Sequence, residues 1–347
     1  MILEDLSNAI GVSGDEGAIR KIIRPVIEAH VTDLQIDAIG NLTAFKKGTG
    51  ETNLRVLIAA HMDEIGFMVV GHESSGMIQF TNVGGIDARI LPGLRVKVGK
   101  KQLPGVILWP PIHKNSDQTT KPIKDLRIDI GVTSKGAAEE KAKRGDRISF
   151  DTTFREIGNM LKGKAFDDRA GCAVLVEILQ GGPYPVDIVA AFTVQEEVGL
   201  RGARVLSRRF NPDVAFALEG TTAHDVPDPQ ADPDDNSVPN PGCVVGRGPV
   251  ITVMDASMIT PPQLVRLLQN TARDESIPSQ IKTALGGGTD AGAIHTANGG
   301  VPSAVVSVPC RYIHSPAAML HKDDLDNTVK LMKAVLGRIN KENIAAL

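Results

Sequence analysis

His61, Asp167, Glu196, Glu197, Glu219 and His314 are the residues of this sequence whose types and settings could do chemistry together. Two imidazoles and three or four carboxylates, with no cysteine among them, suit Zn²⁺, Co²⁺ or Mn²⁺ at a catalytic rather than a structural site. The stoichiometry is that of a two-metal centre. One histidine and one carboxylate would be terminal to each ion, one carboxylate would bridge, and one would be left for proton transfer. Ions roughly 3.5–4 Å apart would share a water whose pKa falls towards ~7. Asp63, two residues after His61, could accept the second ring nitrogen of that histidine, as carboxylates near metal-bound imidazoles commonly do. Plainer readings exist for each residue. Glu196 and Glu197 could be solvated charges at a strand end, Asp167 or Asp168 could cap the following helix, and Glu219 could simply face water.

The elements that would position these groups speak for convergence. Val186 to Val194 is a nearly unbroken apolar, β-branched run, which reads as a strand buried on both faces, and it ends in Glu196-Glu197. Neighbouring side chains diverge in a strand or tight turn, so these two glutamates can hold different jobs. Leu54–Ala60, Asp213–Leu218 and Ala304–Val308 are further apolar strands, followed by His61, by Glu219 and, after a short interval, by His314, while Asp167 opens a helix reaching about Leu179. In an open α/β sheet the ligand crevice lies beyond the carboxyl ends of the strands, where such residues can meet.

Taken in order, the chain predicts a helix over Leu3–Ile10 and a second from Ser13 towards His30, opened by a Ser13/Glu16 capping box and bent at Pro25. A strand pair at 32–46 turns at Gly40-Asn41. From Gly66 to Gly158 short alternating runs separated by Gly, Pro and charged turns predict a small β-barrel-like domain, helical only at Gly136–Lys143. Trp109 within it reads as core or subunit contact. Helices at Gly199–Arg208, 262–275 and Asp324–Asn340 and strands at 250–254 and 280–284 complete the remainder. Residues 221–249, rich in proline and aspartate, read as a mobile acidic loop. The fold class is therefore α/β, a mixed and mostly parallel sheet sandwiched by helices. Its catalytic domain is discontinuous (1–65 and 158–347), and the β-rich insert occupies 66–157.

Bulk properties exclude several classes. A net charge of -3 leaves no basic footprint for nucleic acid, and no apolar run approaches the ~20 residues of a membrane span. The beginning Met1-Ile2-Leu3-Glu4-Asp5 lacks a basic region followed by an apolar segment, so the expected compartment is the cytoplasm. Cys172, Cys243 and Cys310 are widely separated and read as reduced structural thiols. His30, His72, His113, His224, His295 and His321 have no comparable surroundings and read as structural or surface residues.

Five stretches then carry a family resemblance. His61-Met62-Asp63-Glu64-Ile65-Gly66, Phe166-Asp167-Asp168-Arg169-Ala170-Gly171, Gln195-Glu196-Glu197-Val198-Gly199 with Arg201-Gly202-Ala203, Gly287-Gly288-Thr289-Asp290-Ala291 and Arg311-Tyr312-Ile313-His314-Ser315-Pro316 occur in that order. Together they resemble the TET-type metallo-aminopeptidases, metallopeptidase family 42, over nearly the whole chain. The resemblance implies a dinuclear aminopeptidase acting on short peptides. His61, Asp167 and Glu219 would hold one metal, and Glu197, Asp167 and His314 the other, with Glu196 as general base and Asp63 as the orienter of His61. The family accepts Asp or Glu at the position of Glu219. Backbone amides of Gly286–Gly288 would be candidates for holding substrate, a plain turn being the other reading. The resemblance also implies that the insert mediates dimer contacts and that dimers build a tetrahedral dodecamer. If the loop 221–249 faces the interior of that shell, its acidity would favour basic substrate residues.

The rival readings differ in what they require. A glycoside hydrolase needs two carboxyls about 5–9.5 Å apart but no histidines at strand ends, and sugar sites commonly stack rings on aromatic side chains, which make up only 3% of this chain. A related dinuclear amidase or carboxypeptidase would use the same metals and base with different groups at the substrate ends. A metal-free assembly or binding protein would have no need of the five candidate ligands together with Glu196.

Overall fold

The structure, a computed structural model, describes residues 2–50, 54–108, 119–226, 242–283 and 286–344. Helices α1 (Ile2–Asn8) and α2 (Gly17–Ile27) precede the hairpin β1 (Thr32–Ile36) and β2 (Leu42–Lys46) and the strand β3 (Arg55–His61). Then come β4 (Gly66–His72), β5 (Ile78–Val83), β6 (Arg95–Val98), β7 (Leu103–Ile107), β8 (Ile128–Asp129), helix α3 (Lys135–Lys141) and β9 (Arg147–Phe150). The chain continues through β10 (Arg155–Ile157), β11 (Met160–Gly163), α4 (Phe166–Gln180), β12 (Asp187–Thr193), α5 (Arg201–Arg209) and β13 (Val214–Thr222). The last elements are β14 (Val250–Met254), α6 (Pro262–Asp274), β15 (Gln280–Thr283), α7 (Asp290–Ile294), β16 (Ser303–Arg311), β17 (Ala318–His321), α8 (Lys322–Arg338) and α9 (Lys341–Ile344).

Four apolar runs form the parallel centre of one large sheet, in the order β12, β3, β13, β16. Antiparallel strands extend it on both sides, β2 and β1 beyond β12, and β17, β11 and β10 beyond β16. β14 also pairs with β16, and β15 with β14. Alternate residues of the central strands serve opposite faces, as the two-residue period requires. Val56, Ile58 and Ala60 of β3 join the core under α1, α2, α4 and α8, whereas Leu57 and Ala59 pack with Ala203 and Leu206 of α5 and Ile294 of α7. Both faces are therefore apolar, which explains the unbroken hydrophobic runs in the sequence. Register brings strand ends level: Thr193 stands opposite His61, and Glu219 opposite Ser307.

The strands from Gly66 to Phe150 close a separate barrel, β4-β5-β8-β7-β6-β9, which leaves no free strand edge. Phe67 anchors its core, edge-on to Phe80 and Phe150 at 5.1 and 5.5 Å between ring centroids. β10 pairs with β11 in the main sheet.

Several expectations change. The Ser13/Glu16 capping box does not form. α2 starts at Gly17 with no side-chain cap, because Ser13 and Glu16 turn to the neighbouring strand ends described below. Glu219 lies inside β13, not beyond it. The short strands β10, β11 and β17 carry too little apolar periodicity to announce themselves. Part of the expected acidic loop is ordered, with Thr221 and Thr222 in β13 and Asp225 paired to Arg311 at 2.7 Å. Residues 227–241 of that loop, together with Trp109 and His113, lie outside the described residues. Cys172, Cys243 and Cys310 are buried free thiols. No helix among the described residues is long and apolar enough to cross a membrane.

Candidate metal centre

His61 closes β3 at the point where the parallel strands end, with its side chain only 2% exposed. Its Nδ1 lies 3.2 Å from the backbone oxygen of Asp63 and 3.5 Å from Asp63 Oδ1. A proton on that nitrogen leaves Nε2 as the free donor atom facing the cavity. Asp63 is itself held in place. Its Oδ2 accepts from Ser13 Oγ at 2.6 Å and from the backbone N–H of Glu197 at 3.2 Å, and its Oδ1 accepts from the N–H of Glu196 at 3.0 Å.

The turn after β12 is sharp. Gln195 sits at φ 55° and Leu200 at φ 57°, a conformation that side chains rarely adopt. Glu16 steadies it by accepting from the N–H of Gln195 at 3.2 Å. The turn sends the Glu197 carboxylate to His314, 3.5 Å from its Nε2, and leaves Glu196 with no ion-pair partner among the described residues. Only 9% of Glu196 is exposed.

Asp167 and Asp168, joined by a cis peptide bond, divide two jobs. Asp168 caps α4, accepting from Gly171 N–H at 2.8 Å and from His61 N–H at 3.1 Å. Asp167 has non-helical backbone and faces the cavity. Its Oδ1 lies 3.3 Å from His61 Nε2 and its Oδ2 3.4 Å from His314 Nε2. Gly220 permits this approach, since a Cβ there would fall 2.8 Å from the Cα of Asp167. Glu219 Oε2 is 3.6 Å from His61 Nε2. His314, at φ 55° after β16, is oriented from the barrel side, with Nδ1 3.0 Å from the carbonyl of Gly85. Donor atoms of His61, Asp167 and Glu197 lie within 4.8 Å of one another, as do those of His61, Asp168 and Glu219. Each Asp168 oxygen also accepts a backbone N–H, from Gly171 and from His61.

Electrostatically the cluster has an excess of buried acid. Burial raises Glu196 and Glu219 well above the ordinary carboxyl value, with neighbouring carboxylates adding to the rise. The same causes bring Glu197 to about 7. Asp167 is also penalised by burial, yet its bonds to His314 and His61 hold it below the ordinary value. Asp167 is likewise the main cause lifting His314 to about 9. Burial opposes the charged form of His61, but Asp167 and Asp63 override it and hold that imidazole well above its usual value. Four carboxylates around two imidazoles at the base of an open cavity, with Asp167 presenting one oxygen to each, are a donor set that fits divalent cations.

Further polar groups support the floor. Glu64 accepts from Lys164 Nζ at 2.8 and 2.7 Å and from Gly11 N–H at 2.9 Å, and it lies 3.4 Å from Arg169. Arg169 in turn donates to the carbonyl of Met62. Asp290, at the start of α7, bonds Thr193. Ser13, Glu16 and Gly85 carried no recognisable site signal in the sequence, and their roles emerge only from contacts across fifty residues or more. The cavity is about 440 Å³. Gly286–Gly288 line one wall, and Gly287 turns at φ 74°. No Phe, Tyr or Trp side chain among the described residues lines it.

The M42 glutamyl aminopeptidase family model matches residues 40–331. A glutamyl aminopeptidase from Lactococcus lactis subsp. cremoris is 32% identical over 356 residues, 99% of this chain and 97% of that protein. The TET1 peptidase of Pyrococcus horikoshii, described as able to assemble into a tetrahedron or a large octahedral shell, has a structure matching at TM-score 0.85 and 36% identity, covering 97% of this chain and 99% of that one. A structure labelled endoglucanase, from Thermotoga maritima, matches at TM-score 0.80 and 36% identity, over 99% and 97% of the two chains.

Proposed function

The chain belongs to the M42 glutamyl aminopeptidase family, and from that membership and the geometry of the site we propose a dinuclear metal-dependent aminopeptidase that removes N-terminal residues from short peptides. The observation that carries the reading is Asp167, whose two oxygens face two different histidines at 3.3 and 3.4 Å. Glu219 flanks the first histidine and Glu197 the second. On this reading His61, Asp167 and Glu219 hold one ion, and Glu197, Asp167 and His314 the other. Zinc, cobalt or manganese bound there would supply Lewis acidity toward the scissile carbonyl and a water acidic enough to be deprotonated near neutral pH.

The chain's own groups do the rest. Glu196 is buried and makes no ion pair among the described residues, and its raised proton affinity suits a general base. It takes the proton of the attacking water and returns it to the leaving nitrogen. Asp63 holds His61 by its ring nitrogen and Glu196 by its backbone, so acceptor and ligand keep a fixed separation. The carboxylate excess also suits a free α-amino group, which restricts cleavage to the first residue. The endoglucanase label of one relative is disfavoured because no Phe, Tyr or Trp side chain among the described residues lines the cavity and the carboxylates pair with imidazoles. We further assign dimer contacts to the insert 66–157 and expect dimers to assemble into a tetrahedral dodecamer.

The test is to strip the protein with chelator, reload it with Zn²⁺, Co²⁺ or Mn²⁺, count bound ions, and assay aminoacyl-p-nitroanilides beside N-acetylated versions and carboxymethyl cellulose. Two ions per chain and metal-restored cleavage of free-amino substrates alone are expected, with kcat reduced about 10²–10⁴-fold in Glu196→Gln. Cleavage confined to cellulose or to blocked substrates defeats the reading. Light scattering of the purified protein checks the assembly.

A further inference from the structure

Beside the catalytic cavity, between α5 and α7, lies a groove of about 490 Å³ that has no part in the chemistry above. Leu200, just before α5, lines both. Arg204 and Arg208 line the groove, and no acidic side chain among the described residues does. We propose that this groove holds the downstream end of a short peptide substrate, with Arg204 and Arg208 receiving its C-terminal carboxylate. The proposal rests on the aminopeptidase reading and adds to it a site for the substrate end that is not cleaved.

Charge supports the assignment. Helix α5 carries four arginines and no acid, in a chain whose net charge is -3. Arg201 donates to Gln195 Oε1 at 3.0 Å, and Arg209 bonds Gln35 and lies 5.2 Å from the ring centroid of Phe210. The exposed guanidinium groups of Arg204 and Arg208 have neither a hydrogen bond nor an ion pair among the described residues. Basic residues in the last turn of a helix complement its dipole, which accounts for Arg208 and Arg209 but not for Arg204 in the middle. One turn apart on one face, Arg204 and Arg208 offer planar donor groups that match a carboxylate. The catalytic cavity has the opposite character, an excess of buried acid. A short peptide held there by its free amine gains by placing its carboxylate outside, and the adjoining groove offers cations.

Geometry supports it as well. Gly292 and Ala293 of α7 line the side opposite the arginines. A Cβ on Gly292 would fall 2.4 Å from Ser257 Oγ and 3.7 Å from Leu200 Cδ1, so the missing side chain lets α7 lie close to Leu200. Arg204 and Arg208 stand one and two turns beyond Leu200, about 6 and 12 Å along the helix. A peptide extended at about 3.3 Å per residue brings its carboxylate to Arg204 about two residues past Leu200 and to Arg208 about four. Substrates of about three to five residues fit that span.

The test uses the metal-loaded full chain and compares Leu-Gly-Gly and Leu-Gly-Gly-Gly with their C-terminal amides, in wild type and in the double variant Arg204→Met with Arg208→Met. Wild type should cleave the free acids with kcat/KM about tenfold above the amides, each exposed arginine–carboxylate contact being worth a factor of about two to five. The difference should lie in KM, because a contact remote from the scissile bond binds substrate and transition state alike. Raising the ionic strength from about 0.05 to about 1 M, where the screening length is about 3 Å, should bring the acid-to-amide ratio close to one. The double variant should show a ratio close to one at low salt. Acids and amides cleaved equally by wild type, a ratio indifferent to salt, or a ratio unmoved in the double variant overturns the groove and leaves the aminopeptidase reading standing. Failure to cleave any free-amino substrate, Leu-p-nitroanilide included, overturns that reading and the groove with it.

Discussion

The substitution Asp63→Asn would remove one charge and half of the acceptor capacity from a side chain that is 0% exposed and receives three hydrogen bonds. Burial alone would raise the Asp63 carboxyl, but His61, Ser13 and the N–H of Glu196 hold it below its ordinary value, so it is ionised throughout the working range. The asparagine side chain has one carbonyl oxygen and one NH₂. If the oxygen takes the Oδ2 position, the NH₂ confronts the N–H of Glu196 at 3.0 Å; if it takes Oδ1, the NH₂ confronts that of Glu197 at 3.2 Å. The Ser13 hydroxyl can rotate to accept, whereas the backbone N–H groups cannot. One buried donor therefore goes unmet, at about 1–3 kcal/mol, in the turn that aims both glutamates. His61 Nδ1 loses its carboxylate at the same time, and losing such a partner typically costs 10–100-fold in metal affinity. Asp63→Asn should thus bind metal 10–100-fold more weakly in competition with a chromogenic chelator. At saturating metal its kcat should stay at least about tenfold low, because Glu196 is misaimed. Wild-type affinity together with wild-type kcat would refute the claim that Asp63 positions His61 and Glu196.

Two further perturbations test the surroundings. Glu64→Gln leaves Lys164 and Arg169 buried without their shared carboxylate, at about 3–5 kcal/mol. Urea unfolding of the chelator-stripped protein should show that loss, and Lys164→Met added to Glu64→Gln should recover part of it; additive losses would refute the coupling. Metal uptake should release protons at pH 7.5, because metal-free His314 titrates at about 9 and must lose its proton to coordinate. Apparent affinity should therefore rise with pH towards 9, and calorimetry in buffers of different ionisation enthalpy would show no such release if the imidazoles were already neutral. For the stripped protein the sign is opposite. The folded value of His314 lies above the unfolded 6.5, so its contribution to stability is complete below that pH and fades as pH rises through 9.

What was legible in the sequence, and what was not, follows from how each signal is carried. The strands β3, β12, β13 and β16 are buried on both faces, and such strands must be written as continuous apolar runs. The ends of those apolar runs were visible for the same reason, and with them His61, Glu196 and Glu197; Glu219 follows its apolar run but lies inside β13. Ser13 and Glu16 were misread because a short polar residue followed three positions later by glutamate, ahead of a helix, satisfies the local capping pattern. What redirects them is Val12 bridging to Glu64, a contact across fifty-two residues that no local rule contains. Gly85 was invisible for a related reason, since it acts through a carbonyl, which every residue has. Its bond to His314 places one orienting contact of the site on the chain between β5 and β6 of the barrel. The barrel is therefore more than a candidate surface for assembly: a shift of that loop would turn the His314 ring away from Asp167, so the spacing of the two proposed metal positions depends on how the barrel is seated.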